Sequence, residues 1–155
     1  MKKLLTCAAA LLTALGITFV APTTANASAI FVYGPADASS FTWSCFGYSG
    51  TFRSDYYYPT VLDFSTGWPD GSYGCYGISP GRHIYQINST ASGWSEIPGG
   101  GVADYVYGYW NDHAGVRRIC VGRLDTGRIY FDTYYAGSGW AGWYTGDSSS
   151  CPDHI

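Results

Sequence analysis

Four cysteines, Cys45, Cys75, Cys120 and Cys151, constrain this chain more than any other feature. They stand 30, 45 and 31 residues apart, downstream of a stretch that reads as an export leader. Met1-Lys2-Lys3 is a positive start, Leu4 to Val20 is an apolar run containing Cys7, and Ala25-Asn26-Ala27 and Ala27-Ser28-Ala29 are small-x-small cleavage sites. That order of features predicts a secretory signal peptide over residues 1–29 and a secreted, extracellular product. An even cysteine count in an exported chain reads as two disulfides. The spacings contain no C-x-x-C pair, which argues against zinc. Four cysteines allow three connectivities, and the near-equal outer spacings favour Cys45 with Cys75 and Cys120 with Cys151. Each loop of about 30 residues would then stabilise the fold by roughly 3–4 kcal/mol in the loop-entropy picture.

The chain beyond the leader is expected to be a single domain, residues 30–155. Lys2 and Lys3 are the only lysines, so the remainder has six arginines against eleven carboxylates, a formal charge of −5. Nucleic acid and anionic membrane both need a cationic surface, and neither is expected as a partner. No second apolar run of spanning length occurs after the leader, so no membrane span is expected there. Tyrosine, tryptophan and phenylalanine together supply 27 residues of this portion. Aromatic side chains with abundant glycine favour short strands joined by tight turns.

No window carries a helical period, and turn signals recur every eight to twelve residues. The reading is all-β: a small disulfide-stabilised sandwich or barrel-like domain, with helix below roughly a tenth of residues. Strands are predicted at Ile30–Tyr33, Thr42–Tyr48, Thr51–Tyr58, Val61–Phe64, Tyr73–Ile78, His83–Asn88 and Val102–Trp110. Val116–Leu124 and Arg128–Tyr135 read as a hairpin across Asp125-Thr126-Gly127, with glycine where positive φ is needed. Pro98-Gly99-Gly100 marks a boundary between two halves, and Trp68-Pro69-Asp70-Gly71 is a further turn.

The chain also echoes itself. Val32-Tyr33-Gly34 returns as Val106-Tyr107-Gly108, Cys45-Phe46-Gly47 as Cys120-Val121-Gly122, Gly67-Trp68 as Gly142-Trp143, and Cys75 as Cys151. These offsets of 74 to 76 residues predict an internal duplication of about 75 residues, with pseudo-repeats near 30–100 and 101–155. In that register Cys45 superposes on Cys120 and Trp68 on Trp143. A second register sets Cys75-Tyr76-Gly77 on Cys120-Val121-Gly122 and leaves a shorter, blade-like repeat open. Trp94-Ser95-Glu96-Ile97-Pro98-Gly99-Gly100 after His83-Ile84-Tyr85 resembles the tectonin repeat over about 20 residues. Ile119 to Arg123 with Gly127 after it resembles the start of the DM-nine repeat, although the P-G-K and G-K-E signatures of that family have no lysine here to match. Both resemblances imply sugar binding.

No catalytic motif stands out. His83, His113 and His154 lie near no nucleophile signature, and Glu96 is the only glutamate. Asp70-Gly71-Ser72 and Asn111-Asp112 read as turns rather than calcium ligands, and no cofactor is expected. On the strand Arg128–Tyr135, alternation sets Ile129, Phe131 and Thr133 on one face and Tyr130, Asp132 and Tyr134 on the other. The first face suits a core. The second places two rings around one acceptor, as a sugar ring requires. Tyr130, Asp132 and Tyr134, with Trp140 near their edge, are therefore expected to form an exposed binding face; Asp55 and Tyr57 make a less complete copy. Trp68 and Trp143 are expected in the core. Arg117, Arg118 and Arg123 on one strand read as paired charges. The expected function is non-catalytic recognition of an extracellular glycan. A protein-interaction module, such as a protease inhibitor or toxin-like effector contacting a protein surface, is the first alternative, and a small glycan-active hydrolase the second.

Overall fold

A computed structural model describes residues 29–64, 74–112 and 115–155. Residues 1–28 of the predicted leader, Trp68, the turn at Pro69–Gly71 and His113 lie outside the described residues. The fold is nearly all β, with 53% of residues in strands and no α-helix among the described residues. No helix among the described residues is long and apolar enough to cross a membrane.

The first half of the chain builds one antiparallel sheet. Its strands are β1 (Ile30–Val32), β4 (Val61–Asp63), β5 (Gly74–Ile78), β6 (Ile84–Asn88) and β7 (Ser95–Glu96), hydrogen-bonded in that order. A separate two-stranded hairpin, β2 (Ser40–Cys45) and β3 (Tyr48–Arg53), comes from the same half. The second half builds β8 (Tyr105–Asn111), β9 (Val116–Arg123), β10 (Arg128–Tyr135), β11 (Gly139–Trp140), β12 (Tyr144–Gly146) and β13 (Asp153–His154). Their order is β11-β10-β9-β8-β13, with β12 also on β10. The segment between β7 and β8 contains the predicted boundary at Pro98–Gly100 and joins the two sheets.

Both sheets contribute to one apolar core. Leu62, Phe64, Tyr76, Ile78 and Ile84 come from the first, Val106, Ile119 and Val121 from the second, with Ile97 and Ala103 from the joining segment. Strand alternation explains the choice: Ile119 and Val121 face this core, while Cys120 and Gly122 face away.

Cysteine pairing matches the favoured connectivity, Cys45–Cys75 and Cys120–Cys151. Each disulfide fastens a covering segment to the outer face of a central strand. Cys75 on β5 holds the β2–β3 hairpin, whose Cys45 packs with Cys75 and Ile87. Cys120 on β9 holds the C-terminal segment, where Tyr144 stacks on Phe131 at 5.7 Å and the Ser150 carbonyl accepts a bond from Arg118.

The strand order does not confirm the predicted 75-residue duplication. The meanders β4-β5-β6-β7 and β8-β9-β10-β11 have the same order, and Cys75 and Cys120 occupy their second strands. Cys45, by contrast, closes a hairpin turn through Phe46 and Gly47, with φ of 51° and 82°. This turn also corrects the predicted strand boundary: Thr42–Tyr48 is not one strand, because the chain reverses inside it. Thr51–Tyr58 ends early, at Arg53. The Asp55 carboxylate accepts the backbone N–H groups of Tyr57 and Tyr58 at 2.9 and 3.0 Å, so that stretch is a turn.

Candidate functional site

Register settles where the predicted binding face points. On β10, Tyr130 lies opposite Val121, Asp132 opposite Ile119, and Tyr134 opposite Arg117. Directly opposed residues share a face, and Val121 and Ile119 are core residues. Tyr130, Asp132 and Tyr134 therefore do share one face, but it is the inner one, which corrects the expectation of an exposed site. Asp132 is fully buried, and Tyr130 and Trp140 pack against the core. Ile129 and Phe131 point outward and are half-buried; their apolar character is served by the covering C-terminal segment, which alternation on one strand does not reveal.

These residues have separate surroundings. At one end of the face, the Arg117 guanidinium lies over the Tyr134 ring, 3.9 Å from its centroid, and 5.9 Å from that of Trp140. The same arginine hydrogen-bonds Tyr76, whose hydroxyl is pushed up by burial despite that cation. Tyr134 and Trp140 meet edge to face, 5.5 Å apart. They hold a cation rather than offering open rings.

In the middle, Asp132 accepts the Gly142 backbone N–H at 2.9 Å. Burial raises its carboxyl above the usual carboxylate range, while backbone N–H groups of Gly142, Thr133 and Ala141 act against that shift. Its other oxygen is buried and makes no hydrogen bond among the described residues. The bond to Gly142, where φ is 103°, fixes the bend between β11 and β12. Trp143 comes next. Asp132 thus positions an aromatic residue instead of meeting a ligand itself.

At the other end lies a cleft of about 250 Å³. Trp143 and Tyr130 supply aromatic wall, Ile84 and Val121 apolar floor, Gly99–Gly101 a backbone rim, and Arg123 a charge. Gly99 and Gly100 have φ of 97° and 65°, and a Cβ on Gly101 would run into the Trp143 indole. This explains the glycine run: it admits the indole against bare backbone. The Trp143 Nε1–H is buried there without a hydrogen-bond partner among the described residues.

The charge beside the cleft is compensated. Arg123 meets Asp125 through Nε at 3.0 Å and Nη2 at 2.6 Å, and Arg82 reaches Asp125 at 3.3 Å. Asp125 is held down at about 2, chiefly by its bond to Arg123. Arg82 and Arg53 also grip the buried Asp104, at 2.9 and 2.8 Å. No carboxylate among the described residues lines the cleft.

Asp55 and Tyr57 lie on the other predicted patch. Tyr57 is 81% exposed and Tyr56 64%, with their rings edge to face at 5.5 Å. Asp55 is committed to the turn that raises them. Sequence reasoning missed Trp143, Gly101 and Arg123 as neighbours of Tyr130. The signal for them was the Pro98-Gly99-Gly100-Gly101 run, whose bare backbone invites close approach by a ring. Asp112 accepts the Val116 N–H, as a turn residue does. Arg118 bonds Thr133 and Ser150. Comparison with protein-family models, with characterised proteins and with solved structures finds no match for this chain.

Proposed function

We propose that this is a non-catalytic carbohydrate-binding protein, acting outside the cell, with its sugar seat in the cleft between Gly99–Gly101 and β10. The observation that carries the reading is the joining of Trp143 and Tyr130 over an apolar floor, beside a neutralised arginine. Sugar rings offer C–H faces to aromatic surface and hydroxyls to fixed polar groups, and the cleft has both. Export is consistent with two disulfides.

A hydrolytic reading needs two carboxylates flanking one bond. The cleft offers none among the described residues, and Asp125 beside it is occupied by two arginines. This favours binding over hydrolysis. The test is a glycan array, then titration of its best binder. Trp143→Ala should weaken binding by about 1–3 kcal/mol, as an aromatic contact does, whereas Tyr57→Ala should leave it unchanged. Equal affinity in the Trp143 variant, or loss confined to Tyr57→Ala, would move the seat away from the cleft.

A further inference from the structure

The β2–β3 hairpin has an edge that no strand among the described residues fills. Cys45 and Tyr48 flank the two-residue turn, so they form a hydrogen-bonded pair. From there the inward-bonding residues of β3 are Tyr48, Gly50 and Phe52, and the bond from Ser54 N to the Ser39 carbonyl at 3.0 Å continues the same parity. Ser49, Thr51 and Arg53 consequently turn their backbone groups away from β2. The Arg53 carbonyl is taken by the Thr60 hydroxyl at 2.6 Å. Ser49 and Thr51 have no such partner among the described residues, and both are exposed. Two N–H groups and two carbonyls thus line one edge.

That edge borders a groove of about 390 Å³, lined opposite β3 by Trp94, Tyr85, Ser79 and Gly93. Trp94 is fixed there by its indole bond to the Tyr48 carbonyl at 3.0 Å and by its edge-to-face contact with Phe52 at 4.7 Å. β3 has few of the usual guards of an open edge: its sequence, Tyr-Ser-Gly-Thr-Phe-Arg, has no proline or lysine, its one charge, Arg53, is paired with Asp104, and its register with β2 is unbroken.

We infer that the β3 edge and its aromatic groove form a second binding site, which takes an extended, uncharged peptide segment as an added antiparallel strand. Two residues of such a segment, opposite Ser49 and Thr51, would satisfy all four edge groups, and its side chains would alternate between the groove and solvent. Charge matching sets the composition. No charged side chain among the described residues lines the groove, so an ionised residue placed there would lose hydration without a counter-charge. This site is distinct from the proposed sugar cleft and shares no lining residue with it.

The test uses a capped hexapeptide of alternating threonine and valine, with NMR amide exchange read on the whole protein. Without peptide, the Ser49 and Thr51 amides should exchange fast and those of Gly50 and Phe52 slowly. Saturating peptide should slow Ser49 and Thr51 by roughly ten-fold or more. The same peptide, N-methylated at alternate residues so that edge bonding is blocked, should bind at least about ten-fold more weakly. Thr51→Pro removes an outward N–H without touching the β2 ladder, so it should abolish binding at near-parental stability. If that variant fails to fold, the N-methylated peptide still decides. No binding at millimolar peptide, equal binding of the N-methylated form, or protection mapping to Trp143 instead of Ser49 and Thr51 would each overturn the inference.

Discussion

Asp132 and Asp125 show how two carboxylates in one sheet end with opposite proton affinities. Burial raises the Asp132 carboxyl, and the Arg123 guanidinium lowers that of Asp125 to about 2. A carboxyl raised in the fold binds its proton more tightly there than in the unfolded chain. Asp132 therefore favours folding at low pH, and the advantage is lost as pH rises through its native value. Asp125 does the reverse: its contribution is present above the ordinary carboxylate range and is lost as pH falls toward about 2. Asp132→Asn keeps an acceptor for the Gly142 N–H and removes the charge. Its melting temperature should exceed the parent's by a few degrees at neutral pH, and the gap should narrow as pH falls. A gap that ignores pH would mean that the charge is not what matters. Asp132→Ala, which drops the acceptor as well, should lose the gain and loosen Trp143, seen as increased quenching of its fluorescence. The sequence identified Asp132, Tyr130 and Tyr134 as sharing a face through strict alternation. It could not say which face was wet, because that depends on a C-terminal segment pinned to the far side by Cys151.

At the level of strands, the three Cys-x-Gly echoes separate into two kinds. On β5, Gly77 leaves room for the Phe52 ring, and on β9, Gly122 leaves room for the Tyr105 ring; a Cβ at either would collide with the aromatic carbons. Gly47 serves another need. Its neighbourhood is open, and it supplies the positive φ of a two-residue turn. Gly77→Ala and Gly122→Ala should each destabilise by about 1–3 kcal/mol through overpacking. Gly47→Ala should cost about 1 kcal/mol through backbone strain, and Gly47→Asn should recover part of that, because asparagine tolerates the left-handed region. Denaturant melts of the series would separate the two causes; recovery by asparagine at Gly77 as well would undo the distinction. The sequence shows the three echoes as equals, since a flat ring on glycine and a glycine turn leave the same letters. The β9–β10 hairpin was legible to within one residue, Leu124 falling in the turn and not the strand, because Asp125-Thr126-Gly127 marks the reversal and Gly127 has φ of 63°. The hairpin reversal at Phe46 was hidden, because a phenylalanine at φ of 51° is not a turn signal.

Over the whole molecule, each disulfide holds a cover on one large sheet, and neither links the five-stranded sheet to the six-stranded one. Replacing Cys45 and Cys75 together by serine should lower stability by roughly 3 kcal/mol and speed amide exchange in β2 and β3 before the second sheet is affected. Uniform loosening of both sheets would contradict that independence. Along the backbone the two cystine loops lie side by side without overlap, residues 45–75 and 120–151. The halves meet covalently only in the segment containing Gly99–Gly101, and otherwise through the shared core, the ion pairs of Arg53 and Arg82 with Asp104 and Asp125, and backbone bonds such as Val106 N–H to the Pro59 carbonyl. A single peptide cut at Gly100 would therefore yield two polypeptides with no covalent bond between them. They should travel together in native buffer and part in denaturant with no reductant present, which makes the protein a natural candidate for reassembly from two separately produced pieces.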